Sequence, residues 1–335
     1  MERRHRFRTL PILLLALSIA PSLKVIAHDS YITSQLTAAS GTIVEGGAFG
    51  QMGFNRHSPW FLRGEAAFSS QSADALAGVV HNNAFRFAAG LGIETKHVGG
   101  EGHGGFQTMS DPNVTITRMG ASLTYRFITL VRLMHGENDL SLDDKNALLK
   151  ERLAARNREV ALAPSLTGEF DRYDLSTSNG LGIGQMQRIG ITLRWKFHQW
   201  LQVLPSYEGF VYTFAGADKA IIQTAVANAA FRPSRIPADP PYNWYSAAPG
   251  PLASVIRVTA EWVIDFRDAL SGAVVRTSTS NGRSYGGIWA AWHRRIGANG
   301  QWSVGPTAEV LQSGSNHMAA FALSMTFIPT EGYSP

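Results

Sequence analysis

The sequence predicts an all-β chain: an antiparallel, transmembrane β-barrel of about twelve strands, with short helices in its connections. Three observations carry this. Long segments alternate apolar and polar residues with a period of two. After residue 27 no run approaches the roughly 18 uninterrupted apolar residues a spanning helix needs. Charged residues are only 16% of the chain, yet they fall on the polar faces of those alternating segments. A chain that meets a membrane without a spanning helix must close its sheet, because lipid offers backbone groups no partner.

The first residues read as an export leader. Arg3, Arg4, Arg6 and Arg8 form a basic start, and Leu10 to Leu23 is apolar but short for a membrane span. Cleavage is expected after Ala27, since Pro21 disfavours a cut after Ala20. Residues 1–27 are thus a signal peptide, and 28–335 form a single barrel domain. Removing the leader removes five of the 30 Lys+Arg and one of the 25 Asp+Glu, which leaves 25 against 24. The net charge of +5 is mostly export chemistry and gives no case for nucleic acid. With no cysteine, disulfides, thiolate metal sites and thiol nucleophiles are excluded.

Twelve strands are read at 42–54, 60–69, 84–97, 115–128, 161–175, 183–197, 200–213, 254–266, 270–279, 284–295, 300–312 and 317–327, with ten and fourteen as the adjacent even counts. Four are clear. Phe85, Phe87, Ala89, Leu91 and Ile93 oppose Arg86, Ala88, Gly90, Gly92 and Glu94. Met119, Ala121, Leu123 and Tyr125 oppose Arg118, Gly120, Ser122, Thr124 and Arg126. Ile189, Ile191, Leu193 and Trp195 oppose Arg188, Gly190, Arg194 and Lys196, and Ile256, Val258, Ala260 and Trp262 oppose Arg257, Thr259 and Glu261. A soluble sandwich also alternates. Strand lengths near those of tilted spanning strands, and aromatics such as Trp60, Trp195 and Trp302 at strand ends, favour a membrane barrel.

If the strand at 42–54 runs outward, the short links at 198–199, 267–269 and 297–300 fall on the side of the chain termini. The long Pro-rich loop at 215–252 falls on the opposite side. A helical insertion is read at 141–160, started by Ser141 and Asp144, on the side where short turns are normal.

At the end of the chain, Phe321, Leu323, Met325 and Phe327 alternate with Ala322, Ser324 and Thr326. This resembles the last strand of bacterial outer-membrane β-barrel proteins of porin-like kind, with Ile328–Pro335 following the terminal aromatic. The resemblance implies an outer-membrane location, outer-membrane lipid as surroundings, and the barrel-assembly machinery as a partner during biogenesis.

The expected lumen-lining residues are Arg63, Glu65, Arg86, Glu94, Arg118, Arg126, Arg188, Arg194, Lys196, Arg257, Glu261, Asp265 and Glu309. Facing charges in a water-filled lumen set a size limit and a transverse field. The alternative is that they pair and fill a narrow interior. The basic excess among them favours anions weakly. The function expected is a channel for small polar solutes, with a lipid hydrolase or a structural or export component as alternatives. No catalytic residue is assigned: His57, His81, His135, His198, His293 and His317 are scattered, and no HExxH occurs. His97, Glu101 and His103 lie in a Gly-rich stretch read as a mobile outer loop, so no metal site and no cofactor are expected.

Overall fold

The structure, a computed structural model, describes residues 31–39, 43–54, 59–71, 82–95, 97–110, 113–127, 162–177, 180–198, 200–216, 251–265, 267–297, 302–313 and 316–327. The leader at 1–27, the helix at 141–160, most of the loop at 215–252 and the tail after Phe327 lie outside them. Among the described residues every regular element is a strand.

There are fourteen: β1 Tyr31–Ala39, β2 Ile43–Gly53, β3 Trp60–Gln71, β4 Asn82–Glu94, β5 Val98–Ser110, β6 Asn113–Arg126, β7 Leu162–Thr177, β8 Gly180–His198, β9 Leu201–Gly216, β10 Leu252–Val263, β11 Asp268–Thr279, β12 Ser284–Ile296, β13 Trp302–Ser313 and β14 Asn316–Phe327. Each pairs antiparallel with its sequence neighbours, and β14 pairs back onto β1 through contacts such as Leu36 with Leu323, giving a closed barrel. No described strand keeps an open row of backbone donors and acceptors, so the sheet has no edge to pair with another chain.

The expected count of about twelve is corrected by two strands, β1 and β5. Both lack the apolar alternation that marks the others. The outer face of β5 carries Gly100, Gly102 and Gly104 in succession between Val98 and Phe106, so the apolar alternation is interrupted. β1 mixes Thr, Ser and Gln with Tyr31, Ile32, Leu36 and two alanines. Adding β1 reverses the direction of the next three strands, since β2 runs back toward the termini. Adding β5 restores the direction from β6 onward, which is why the links at 198–199 and 297–300 still lie on the termini side.

The faces sort cleanly. Leu62, Phe85, Phe87, Leu91, Met119, Leu123, Ile189, Ile191, Val211, Ile256, Val274, Ile288 and Phe321 are exposed on the outside. In water such an apolar face would be costly and prone to association. Near the termini side this face ends in Trp60, Tyr125, Trp195, Trp262 and Trp292, with the rings of Trp302 and Phe327 4.7 Å apart. Amphipathic rings at that level match the interface of a bilayer. On the far side the outer face turns polar at Thr115, Thr117, Arg172, Asp174, Gln185 and Gln187. The turn between β11 and β12 is held by Gly282 at φ 82, whose N–H donates to the Thr279 carbonyl at 3.0 Å.

Candidate functional site: the charged inner wall

The inner faces of β3 to β9 carry a connected set of charges. Arg63 of β3 pairs with Glu101 of β5 and donates to Gln51 Oε1 at 2.7 Å. Its side chain is 8% exposed. Arg86 Nε lies 3.0 Å from Glu65 Oε1. Arg118 Nη2 reaches Asp171 Oδ2 at 2.7 Å and Glu169 Oε1 at 3.1 Å. Glu169 uses its other oxygen for Arg188 Nη2 at 2.6 Å, and Arg188 Nη1 continues to Glu208 Oε1 at 2.5 Å. The row therefore runs Asp171, Arg118, Glu169, Arg188, Glu208 across four strands. Each cation sits between two anions, the arrangement in which burying a charge is tolerable.

His103 Nε2 lies 2.6 Å from Asp171 Oδ1 and 3.2 Å from Arg118 Nη2. A carboxylate only accepts, so the ring must donate from Nε2 to Asp171. That leaves Nε2 unable to accept from Arg118, and the 3.2 Å approach is proximity alone. Tyr173 completes the group, its hydroxyl donating to Asp171 Oδ2 at 3.3 Å.

Room for this row comes from glycine on the inner wall. Gly120 lies directly opposite both His103 and Asp171 in the ladder. A methyl group there would overlap Asp171 Oδ1 and crowd His103 Nε2. A methyl at Gly92 would likewise overlap the ring of Phe61. Bare backbone at these points lets side chains from neighbouring strands lie along the wall.

The sequence-predicted lining residues fall into three groups. Arg63, Glu65, Arg86, Arg118 and Arg188 join the charged set just described. Lys196, Arg194, Arg257, Glu261 and Glu309 are also on the inner face, with Glu261 accepting from Gln202 Nε2, and Lys196 and Glu309 buried. Glu94 and Arg126 pair at 2.5 Å at the termini-side rim, where the Glu94 side chain is 49% exposed. Asp265 does a different job: it accepts the backbone N–H groups of Arg267 and Asp268, both at 2.7 Å, and so fixes the β10–β11 turn.

Glu101, His103, Glu169, Asp171, Tyr173 and Glu208 also line the wall, and the sequence reading does not place them there. Glu169, Asp171 and Tyr173 alternate on β7, so the period is legible there, although Pro164 interrupts the start of the strand. Glu101 and His103 are not in a mobile loop. They are strand residues pointing inward, and His97 is apart from them on an exposed turn. The ligand atoms of His103, Glu169 and Asp171 lie within 4.8 Å of one another, a set that could hold a metal. Arg118 Nη2 is within 3.2 Å of an atom of each, so a guanidinium already supplies the cation there.

Toward the far side the inner wall changes character. Met109, Val114, Ile116, Tyr173, Leu175, Met186, Phe210, Leu252, Val255, Val275 and Trp289 form one buried apolar cluster. Phe210, Tyr212 and Phe214 line up along β9 with near-parallel rings, 6.4 and 5.7 Å between centroids. The interior thus has a charged zone and an apolar zone.

No family model and no curated protein matches this chain. Among solved structures it is similar to the KdgM porin in complex with disordered oligogalacturonate, at 8% identity over 90% of this chain and 99% of that one, TM-score 0.35. It is similar to CdiB from Acinetobacter baumannii at 7% identity over 90% of this chain and 60% of that one, TM-score 0.48. A loop-L8-deleted OmpT, an outer membrane protein of Vibrio cholerae, gives 8% identity over 89% and 97%, TM-score 0.40.

Proposed function

We propose that the chain is an outer-membrane channel for small polar solutes, exported by the leader at 1–27. The observation that carries this reading is inverted amphipathicity: apolar side chains such as Ile189, Ile191 and Phe321 face out, while Arg63, Arg118, Glu169 and Arg188 face in. A soluble protein places these classes the other way round. A lipid-embedded barrel needs an apolar outside and can keep charge within. Outer-membrane lipid is then the surrounding medium. The barrel-assembly machinery is the partner that would receive β14 with its terminal Phe327.

Charge selectivity is expected to be weak. Arg63, Arg86, Arg118 and Arg188 are matched by Glu65, Glu101, Glu169, Asp171 and Glu208 in the same ion pairs. The basic excess expected from the sequence is offset by Glu101, Glu169, Asp171 and Glu208. The test is conductance of the purified, folded protein in a planar bilayer, with membrane fractionation of the expressing cells. Discrete conductance steps and outer-membrane recovery are expected. A heat-modifiable, folded barrel that never conducts, in the native form or in any variant, overturns the reading.

A further inference from the structure

We infer that the buried apolar cluster of the interior, to which Trp289 contributes from β12, is the constriction that limits permeation, so that solutes pass only when it loosens. This rests on the channel reading. It places the resistance at this cluster and not at the charged row.

The first observation is burial. Ile116, Leu175, Met186, Leu252 and Trp289 are each 1% exposed, and Tyr173 is 0%. These residues stand on the inner wall of a barrel. Side chains bordering an open aqueous lumen would keep wet tips. Exposure this low means that the interior at this level holds protein and not water. Apolar linings resist ions even before they close fully, because a narrow apolar passage sheds its water. The charged row is buried at Asp171 and Glu169 but keeps exposure at Arg118, 15%, and Glu208, 22%, and bare backbone at Gly120 gives His103 and Asp171 room to lie against the wall.

The second observation concerns polar satisfaction. The Trp289 indole N–H is buried with no hydrogen-bond partner among the described residues. Buried tryptophans ordinarily find one. Trp292, three residues on and facing outward, donates from its Nε1 to Asp268 Oδ1 at 2.9 Å. The closed packing therefore leaves one donor of β12 unsatisfied. Water or a solute hydroxyl entering the zone would supply the missing acceptor. That lowers the free-energy gap between packed and hydrated forms at this one residue.

The third observation is the wall around the indole. Its cross-strand neighbours are Ala273 on β11 and the buried Glu309 on β13, and Ala291, Ala320 and Ala322 are also buried on β12 and β14. Trp289 is the largest fully buried side chain among the described residues. Apart from Glu309 its neighbours on this wall are small, and it shares one buried cluster with the bulkier Ile116, Tyr173 and Leu175. Removing one ring should open more space here than anywhere else on that wall.

The experiment compares single-channel conductance of the full chain with Trp289→Ala, Trp289→Phe and Leu175→Ser, each checked for folding by heat-modifiable gel mobility. Trp289→Ala and Leu175→Ser should raise conductance several-fold, or turn a silent barrel into a conducting one. Trp289→Phe keeps bulk and deletes the donor, so it should match or fall below the native value. Leu175→Ser lies on another strand and keeps the test alive if Trp289→Ala does not fold. A native barrel that conducts, with folded Trp289→Ala or Leu175→Ser unchanged, overturns the constriction while the channel reading stands. Folded variants that stay as silent as the native barrel overturn both.

Discussion

Arg118 Nη2 of β6 sits 2.7 Å from Asp171 Oδ2 of β7, and Asp171 also takes the proton-bearing Nε2 of His103 from the other side at 2.6 Å. Asp171 is fully buried. One carboxylate is thereby fixed by three strands, and one guanidinium joins it to Glu169 and the rest of the charged row.

Arg118→Ala should be strongly destabilising. It leaves Asp171 buried with only His103 and Tyr173, and strips Glu169 of one partner. Breaking a buried pair from one side costs about 3–5 kcal/mol. Urea unfolding in detergent or lipid, followed by gel mobility, would show a lower midpoint. An unchanged midpoint would mean that the row is hydrated and of little structural weight.

Two glycines separate packing from propensity. Gly120→Ala places a methyl against Asp171 and His103 and should lower stability by about 1–3 kcal/mol, as overpacking does. Gly102 sits on the outer face of β5, and a methyl added there would meet nothing within 4 Å. Gly102→Ala should therefore be neutral or stabilising by about 0.5–1 kcal/mol. Equal losses for both in the same urea series would contradict the inward placement of the His103–Asp171 pair.

These glycines also mark what the sequence does and does not disclose. Strands such as β4, β6, β8 and β10 are legible because a large apolar residue recurs at every second position, as in Phe85, Phe87, Leu91 and Ile93. β5 is hidden because its outer positions are Gly100, Gly102 and Gly104, which carry no side chain to read. With β5 hidden, so are Glu101 and His103, the partners of Arg63 and Asp171. Individual charges can be assigned to the inner face from alternation alone. Which acid meets which base depends on cross-strand register, and periodicity does not encode register. The apolar far zone is equally invisible: Val114, Ile116 and Leu175 share a parity with Arg118 and Asp171, and only the closed barrel brings them together with Trp289.

Charge selectivity follows from the row. In a salt gradient the native channel should show a reversal potential near zero, because its guanidiniums and carboxylates nearly balance. Arg188→Gln frees Glu169 and Glu208 from their shared cation, and should shift the reversal potential toward cation preference. A strong anion preference in the native channel would place the selective charges elsewhere.

The outer aromatic belt should govern insertion more than the interior does. Phe327 closes β14 and packs its ring on Trp302 across the strand pair. Phe327→Ala should slow appearance of the folded, heat-modifiable form in pulse-chase labelling, with little change in conductance once folded. A variant that assembles at the native rate would remove β14 from the assembly signal.

The decisive question is which face of a strand meets lipid. Ile191 and Thr192 are neighbours on β8 that point to opposite faces, and neither belongs to the charged row. In the cysteine-free chain, Ile191→Cys and Thr192→Cys would each be probed in membranes with a water-soluble thiol reagent and a lipid-confined quencher. With an apolar outside and a charged interior, the cysteine at 191 meets the quencher and resists the soluble reagent, while the cysteine at 192 does the reverse. Soluble labelling at 191 with quenching at 192, or identical behaviour at both, would contradict that arrangement and the channel built on it.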